Sequence, residues 1–280
     1  MSRNIAASVR DRLLNLAQRN DLNYSRVMTR FGLERLLYRI SASPYASLFL
    51  LKGALLFSHW YHDRGRPTRD ADFLALNPND VCQLVAMFQE VCAIPGDDGV
   101  FFDPTSVQGR DLGIAEKGVV RITLVGDLNR ARLTIQIDIG YGDPVSPGPE
   151  SIAFPTLLED LPAPRLLAYP KATVVAEKLH AIWSLGMSNT RLKDYYDLDM
   201  LLHDGDVDPA QLKEAIRLTF EKRRTLRRPG VPVGLSGRYA SDSAKRSLWA
   251  GFLKKNGLAD SALDDVVKRL ATALQRLQVI

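Results

Sequence analysis

The sequence predicts an α+β protein in which a mixed sheet precedes a bundle of helices. Apolar residues recur at helical spacing through the first forty residues, and alternation typical of strands is concentrated between residues 70 and 140. Beyond Pro170 the pattern is almost wholly helical. We therefore expect N-terminal helices over residues 1–45, a sheet-containing core over 46–160 and a helical domain over 161–280.

The composition is that of an ordinary globular protein. The 280 residues are 46% hydrophobic and 25% charged, which suits one large domain or two modest ones. The longest apolar stretches, such as Leu48–Leu51 and Ala54–Phe57, fall far short of the ~20 residues that span a membrane. The N-terminus opens with Arg3, Asn4 and Arg10, without an apolar signal core. These features predict a cytoplasmic protein with no membrane partner.

Local patterns assign the elements of the first third in turn. Two helices are expected before Pro44, the second of them over Ser25–Ile40. The strongly apolar run Phe49–Tyr61 predicts a third helix that begins near Lys52 and Gly53, and a polar turn at residues 63–67 ends it. Asp70–Leu76 alternates in polarity as a strand does.

The later elements follow the same rules. Val81–Val91 is predicted as a helix, and Gly118–Val125 and Ala131–Gly140 as antiparallel strands joined by a turn at residues 127–129. The helices expected in the C-terminal half cover Ala172–Leu185, Arg191–Leu202, Pro209–Arg223 and Asp260–Leu277.

Two aspartates occupy the strand predicted at residue 70. Because side chains alternate along a strand, Asp70 and Asp72 point to the same side, where they repel each other unless a cation lies between them. Mg²⁺ prefers carboxylate oxygens together with substrate phosphate, so the pair indicates a magnesium site, with a solvated strand face as the alternative. Gly53 permits close approach of backbone N–H groups to phosphate, and Thr68 offers a hydroxyl just before the first carboxylate.

A third carboxylate, Asp138, lies on the strand predicted over Ala131–Gly140. The aliphatic residues at positions 133, 135, 137 and 139 take one face of that strand, which leaves Asp138 on the other. If the strand neighbours that of Asp70 and Asp72, three carboxylates converge. Otherwise Asp138 is an exposed residue on an edge strand.

Charged residues also recur in the helical half. Lys178 interrupts an apolar helical face, so it either extends past the core or points into a polar site. Arg191 and Asp194 are three residues apart, and Lys193 and Asp197 are four apart. Both spacings place the partners on one helix face, where they form a surface ion pair or flank a common ligand.

A basic run indicates a polyanionic partner. The formal net charge is +5 and the sequence pI is near 9.2. The run is compact and comprises Lys222, Arg223, Arg224, Arg227 and Arg228. It is either a solvated helix face and loop or a surface that meets nucleic acid phosphate.

Together these residues resemble a known family. The signature K-G-G followed by R-x-S/T-x-D-x-D of the AbiEii/AbiGii-type nucleotidyltransferase toxins is similar to residues 51–54 and 66–73. Later motifs of that family are similar to residues 137–140, 176–179 and 191–197, so the match spans roughly residues 48–202 in the right order. Ala54 stands where the family usually has a second glycine, and Ala71 replaces a large aliphatic residue.

The resemblance implies a polymerase-β-like nucleotidyltransferase core and the toxin half of a toxin–antitoxin or phage-defence pair, with a cognate antitoxin as partner. It assigns Mg²⁺ binding to Asp70, Asp72 and Asp138. It assigns catalysis to these three carboxylates together with Lys178 and Asp194. It assigns nucleotide binding to Lys52, Gly53, Arg66, Thr68, Arg191 and Lys193.

The resulting hypothesis is transfer of a nucleotide from an NTP to the 3′ acceptor end of tRNA, which blocks aminoacylation and translation. Asp138 would help to deprotonate the RNA hydroxyl. The tRNA backbone would bind the basic run at Arg223, Arg224, Arg227 and Arg228. Two alternatives stay open: nucleotidylation of a protein hydroxyl, including self-modification, and a non-catalytic RNA-binding module.

Overall fold

The computed structural model of the protein describes residues 4–62, 65–77, 80–113, 118–203, 205–227 and 230–280. Its helices are α1 (Ile5–Arg19), α2 (Tyr24–Ala42), α3 (Leu55–Tyr61), α4 (Val81–Ala93), α5 (Lys171–Leu185), α6 (Leu192–His203), α7 (Pro209–Lys222), α8 (Gly237–Ser241), α9 (Ser243–Asn256) and α10 (Leu263–Arg276). Its strands are β1 (Phe49–Lys52), β2 (Asp70–Ala75), β3 (Val100–Asp111), β4 (Val119–Leu128), β5 (Ala131–Tyr141), β6 (Glu150–Ala153) and β7 (Arg165–Ala168). The α+β prediction is confirmed.

The chain forms two compact units. The first comprises Met1–Gly142 and Glu150–Ala168, and the second comprises Asp143–Pro149 and Tyr169–Ile280. The N-terminal helices therefore belong with the sheet. The first unit extends past residue 160 because β7 pairs with β1. No helix within the described residues is long and apolar enough to cross a bilayer.

The first unit is built on one mixed sheet with the strand order β3-β4-β5-β2-β1-β7-β6. The pairs β2–β5 and β1–β7 are parallel, and the others are antiparallel. Helix α2 lies against β5, where the α-carbon of Gly32 approaches Leu133 and Ile135, and α4 lies against β3, where Gly109 approaches Val81. Both helices cover the same aliphatic face, so the polar residues of β2, β4 and β5 lie on the opposite face.

The prediction of a helix for the run Phe49–Tyr61 is wrong for the first part of the run, which is a strand. Phe49–Lys52 is the strand β1, which pairs with β2 on one side and β7 on the other, and the helix begins only at Leu55. A short, continuous apolar run does not distinguish a buried strand from a helix by its periodicity. Of the turn predicted at residues 63–67, positions 63 and 64 lie outside the described residues.

Several other elements depart from the sequence prediction. The hairpin between β4 and β5 turns at Asn129 and Arg130 rather than at residues 127–129, and both turn residues have positive φ, as a two-residue type I′ turn requires. Strand β3 was missed because its register shifts between Asp103 and Gln108, which breaks the alternation. The short strands β6 and β7 and the helices α8 and α9 were also missed.

The second unit is helical, as predicted. Helix α5 packs against α6 and α7, and the rings of Tyr195 and Tyr239 stack at a centroid distance of 5.1 Å. The carbonyl of Asn189 accepts hydrogen bonds from the Tyr239 hydroxyl at 2.9 Å and the Lys245 ammonium at 3.0 Å. These two hydrogen bonds tie α8 and α9 to the segment that precedes α6.

Candidate active site

A row of charged residues crosses the polar face of the sheet. Asp72 on β2 lies directly opposite Asp138 on β5, and it lies opposite Lys52 on β1 on its other side. Asp138 in turn lies opposite Arg121 on β4. Residues directly opposite each other in a sheet share a face. The condition for convergence is therefore met, since the strand of Asp138 is the neighbour of the strand of Asp72.

Asp70 lies two residues before Asp72 on the same strand and therefore on the same face, and it is opposite Gln136 on β5. The hydroxyl of Thr68 donates a hydrogen bond of 2.6 Å to Oδ1 of Asp70, which orients that carboxylate. Arg66 is half-buried just before the strand. The roles of Thr68 and Arg66 toward a nucleotide stay predictions.

The structure gives a reason for a glycine at position 53 that the sequence analysis missed. The φ of Gly53 is +74°, and a Cβ at this position would lie 2.0 Å from Oδ2 of Asp72. Only glycine leaves room for that carboxylate and adopts this backbone conformation without strain. Gly53 therefore determines where Asp72 can lie, whether or not its N–H also approaches phosphate. The Lys52 ammonium extends over Gly140, where an added Cβ would lie 3.6 Å from Nζ.

Asp138 is held by an arginine. Nε and Nη2 of Arg121 each donate to a different carboxylate oxygen of Asp138 at 2.8 Å. The Asp138 side chain is 15% exposed and that of Arg121 is 34% exposed, so the pair borders solvent. The alternation along β4 was enough to predict that Arg121 lies on the polar face. Its partner could not be predicted in this way, because the partner depends on the strand order.

The donor set fits a divalent cation shared with a substrate. Asp70 and Asp72 present carboxylate oxygens on one face, and Mg²⁺ is commonly held by one or two carboxylates together with substrate phosphates. Within the described residues, no group of three or more His, Cys, Asp or Glu side chains is placed to hold a metal ion together. Asp138 is bonded to Arg121 instead, so its role as a third metal ligand stays a prediction.

The charged motifs of the second unit form a separate buried network. Nζ of Lys178 donates to Asp194 at 2.9 Å and to Asp197 at 2.7 Å, and Nε of Arg191 donates to Asp194 at 2.7 Å. Of the alternatives left open by the spacing, Arg191 and Asp194 form an ion pair. Lys193 and Asp197 do not pair, because Asp197 points into the core toward Lys178 while Lys193 is exposed.

The network favours the ionised forms of Lys178 and Asp194. Burial acts to lower the pKa of Lys178, but Asp197 and Asp194 outweigh that effect and raise the pKa above its usual value. Burial acts to raise the pKa of Asp194, and Lys178 and Arg191 outweigh it, so the pKa falls below its usual value. Two cations and two carboxylates thus balance in charge. Roles of Lys178, Asp194, Arg191 and Lys193 in nucleotide binding or catalysis stay predictions.

Arg223, a predicted RNA contact, forms hydrogen bonds with other side chains of the second unit. Its Nη1 donates to Nδ1 of His180 at 3.2 Å, and its Nη2 donates to Asp143 at 3.3 Å. Nε2 of His180 lies 2.8 Å from the hydroxyl of Thr225. Burial, and then the charge of Arg223, lowers the pKa of His180 to about 4, so the imidazole is neutral at physiological pH.

The other predicted RNA-binding arginines differ in their surroundings. Arg224 is exposed and has a φ of +51° just beyond the end of α7. Arg227 donates to the carbonyl of Val279, and its guanidinium lies 5.7 Å from the ring centroid of Phe220. Arg228 lies outside the described residues.

Comparison with protein families decides the assignment. A family model described as "Nucleotidyl transferase AbiEii toxin, Type IV TA system" matches residues 35–276. The chain belongs to this family. The match covers both the charged row and the buried network, and it confirms the prediction of a nucleotidyltransferase enzyme. As a member of a type IV toxin–antitoxin family, the AbiEii chain has an implied antitoxin partner and a nucleotide substrate.

Solved structures show the same fold. A candidate nucleotidyltransferase from H. pylori is 15% identical, with a TM-score of 0.53, and the match covers 92% of the AbiEii chain and 97% of that chain. The protein JHP933 from Helicobacter pylori is also 15% identical, with a TM-score of 0.50 and coverage of 89% and 90%. No curated protein sequence matches the AbiEii chain. At this identity the likeness concerns the fold, which confirms a nucleotidyltransferase architecture.

Proposed function

We propose that this AbiEii chain transfers a nucleotide from an NTP to the 3′ acceptor end of tRNA, in a Mg²⁺-dependent reaction that blocks aminoacylation and translation. The observation that carries the proposal is the parallel pairing of β2 with β5, which places Asp72 opposite Asp138 and Asp70 beside them on one face. Mg²⁺ held by Asp70 and Asp72 would neutralise charge on the triphosphate and on the leaving pyrophosphate.

The residues around the carboxylates support this chemistry by holding them in place. Thr68 fixes the carboxylate of Asp70, and Gly53 leaves the space that the carboxylate of Asp72 occupies. Lys52 adds a positive charge beside Asp72, opposite in register, where it would attract a triphosphate. Preorganised charges of this kind need no rearrangement during the reaction.

An RNA acceptor is supported by the charge distribution of the second unit. No acidic residue occurs between Glu221 and Asp242, and that segment contains the exposed Arg224. A basic segment binds a phosphate backbone through release of counterions, so tRNA binding should weaken steeply as salt rises. The proposal places the chain in the cytoplasm as a toxin, counteracted by a cognate antitoxin, with a role in phage defence.

The test is to incubate the purified protein and its Asp70→Ala variant with total tRNA, Mg²⁺ and each α-labelled NTP in turn. Label on tRNA with the parent protein alone is the expected result, and it also identifies the nucleotide. Omission of Mg²⁺ with EDTA present should abolish the labelling. Transfer at the parental rate by Asp70→Ala would overturn the assignment of these carboxylates.

The same experiment separates the alternative acceptor. Label that survives ribonuclease treatment and migrates with a protein band would replace tRNA by a protein hydroxyl as the acceptor. Absence of label with every NTP would contradict nucleotidyl transfer to either acceptor. Circular dichroism of Asp70→Ala should match that of the parent, because Asp70 lies on the half-buried polar face of the sheet.

A further inference from the structure

The row of charges continues past Asp138 onto the edge of the sheet. Arg121 on β4 lies directly opposite Arg110 on β3, so the row reads Lys52, Asp72, Asp138, Arg121, Arg110 across five adjacent strands. One side of the carboxylates therefore carries two arginines. This pair lies on the polar face, because the face behind it is covered by α4 at Gly109.

The two arginines are an unfavourable pair by themselves. Like charges directly opposite each other in an antiparallel ladder destabilise the sheet. Together Arg110, Arg121 and Asp138 carry a formal charge of +1. Arg110 is exposed, and it forms no ion pair within the described ranges of the chain. An anion bound between the arginines would relieve the repulsion.

The chemistry of arginine narrows the kind of anion. A guanidinium offers a planar fork of N–H donors that matches the oxygens of phosphate. The bidentate bond to Asp138 fixes the plane of Arg121 in advance, and the amide oxygen of Gln136, when it faces Arg121, lies 3.2 Å from Nη2. Less conformational entropy is then lost when the arginine binds its ligand.

We propose that Arg110 and Arg121 bind a phosphate group, and that Asp138 acts as a positioning residue for Arg121. This inference rests on the proposed function, in which phosphate groups lie beside Asp72. Neighbouring strands are about 4.8 Å apart, so the two arginines lie within roughly 10–15 Å of Asp72. Both an RNA backbone and the triphosphate of an NTP would present phosphate at that distance. The ligand chemistry is the same, and the experiment separates the two sources.

The test compares Arg110→Gln/Arg121→Gln with a matched control, Arg132→Gln. Arg132 is exposed on the same face of β5, six residues from Asp138 and thus roughly 20 Å away along the strand. Binding is measured in EDTA, by filter binding of labelled tRNA over a series of salt concentrations and by equilibrium dialysis of labelled NTPs. The double variant should lose about 10-fold in affinity for one of these ligands, and Arg132→Gln should not.

The two arms identify the source of the phosphate. A loss confined to tRNA, with the slope of log affinity against log salt reduced by about 1 to 2, assigns an RNA phosphate. A loss confined to the NTPs assigns the triphosphate. Unchanged affinity for both ligands, relative to Arg132→Gln, would overturn the proposal.

Asp138→Asn tests the positioning role without metal. If Asp138 only carried charge, its removal would strengthen binding of a polyanion in EDTA. As a support for Arg121 its removal should weaken binding, and its effect should not add to that of Arg121→Gln. Stronger binding by Asp138→Asn would overturn the positioning role. Failure of the proposed function is seen separately, as absence of nucleotidyl transfer by the parent protein with Mg²⁺.

Discussion

The two compact units use charge in opposite ways. In the first, charged side chains form a row on one sheet face and border solvent, with Asp138 15% and Arg121 34% exposed. In the second, Asp194 and Asp197 are 1% and 0% exposed and are bonded to Lys178. The difference teaches that an aspartate bonded to a basic side chain can border solvent in one unit, as Asp138 does beside Arg121, and be almost fully buried in the other, as Asp194 is beside Lys178.

The largest effect on stability is expected from breaking the buried network. Lys178→Met should destabilise the protein by roughly 3–5 kcal/mol, because it removes the cation that is bonded to both buried carboxylates, Asp194 and Asp197. Urea denaturation measures the change in the free energy of unfolding. Lys193→Met is the control, since Lys193 is exposed and its replacement should stay within about 0.5 kcal/mol. Equal effects of the two substitutions would contradict the claim that the second unit is stabilised by a buried, bonded network around Lys178.

Nucleotidyl transfer should be sensitive to a larger side chain at position 53, beside the row of charged residues. Gly53→Ala should reduce nucleotidyl transfer by about 100-fold or more, because the new Cβ would meet Oδ2 of Asp72 at 2.0 Å and displace it. The control is Gly251→Ala within α9, where an added Cβ meets nothing within 4 Å and should stabilise the helix by about 0.5–1 kcal/mol. Parental transfer by Gly53→Ala would show that the position of Asp72 is not set by this glycine.

A smaller loss is expected from the hydrogen bond that orients Asp70. Thr68→Val removes the hydroxyl that donates to Oδ1 at 2.6 Å and should lower the transfer rate by about 10-fold, as the loss of one hydrogen bond to a charged group implies. Thr68→Ser keeps the hydroxyl and should retain most of the rate. If Thr68→Val and Thr68→Ser transferred equally well, the hydroxyl would have no part in orienting Asp70.

A pH dependence of stability is expected in the second unit. The pKa of His180 is lowered to about 4 in the folded protein, whereas an unfolded histidine titrates near about 6.5. Between these values the unfolded chain binds more protons, so this contribution to stability is complete above pH ~6.5 and is lost as pH falls toward 4, by at most about 1.4 kcal/mol per pH unit.

His180→Gln removes this titration and isolates its contribution. The free energy of unfolding should fall less steeply below pH ~6.5 in the variant than in the parent. Denaturation curves at a series of pH values between 4 and 7 measure both slopes. Identical slopes would mean that the pKa of His180 is the same in the folded and unfolded protein, despite its burial and the neighbouring charge of Arg223.

The sequence predicted those features that follow from local periodicity. Alternation along β5 placed Asp138 opposite the aliphatic face, and the spacing of Asp70 and Asp72 placed both on one side. Helical spacing also placed Arg191 and Asp194 on one helix face, where they form an ion pair.

Partners that come from distant parts of the chain were not predictable in the same way. Arg121 meets Asp138 only because β4 pairs with β5 in one register, and Asp197 meets Lys178 only because α6 packs on α5. The reason for Gly53 was hidden as well, since it depends on where the side chain of Asp72 lies across the β1–β2 pair. Local spacing specifies faces of elements, whereas contacts across elements depend on strand order and helix packing.

The central claim is that the row of charged residues on the polar face of the sheet carries the nucleotidyl transfer. The most direct measurement is the rate of labelled nucleotide transfer to tRNA by Asp72→Asn, at a temperature where circular dichroism shows the variant to be folded. The substitution keeps the shape of the side chain and removes its charge. We expect the rate to fall by at least about 10³-fold, which corresponds to the several kcal/mol that a bound divalent cation contributes. A parental rate would contradict the claim and would place the chemistry elsewhere in the molecule.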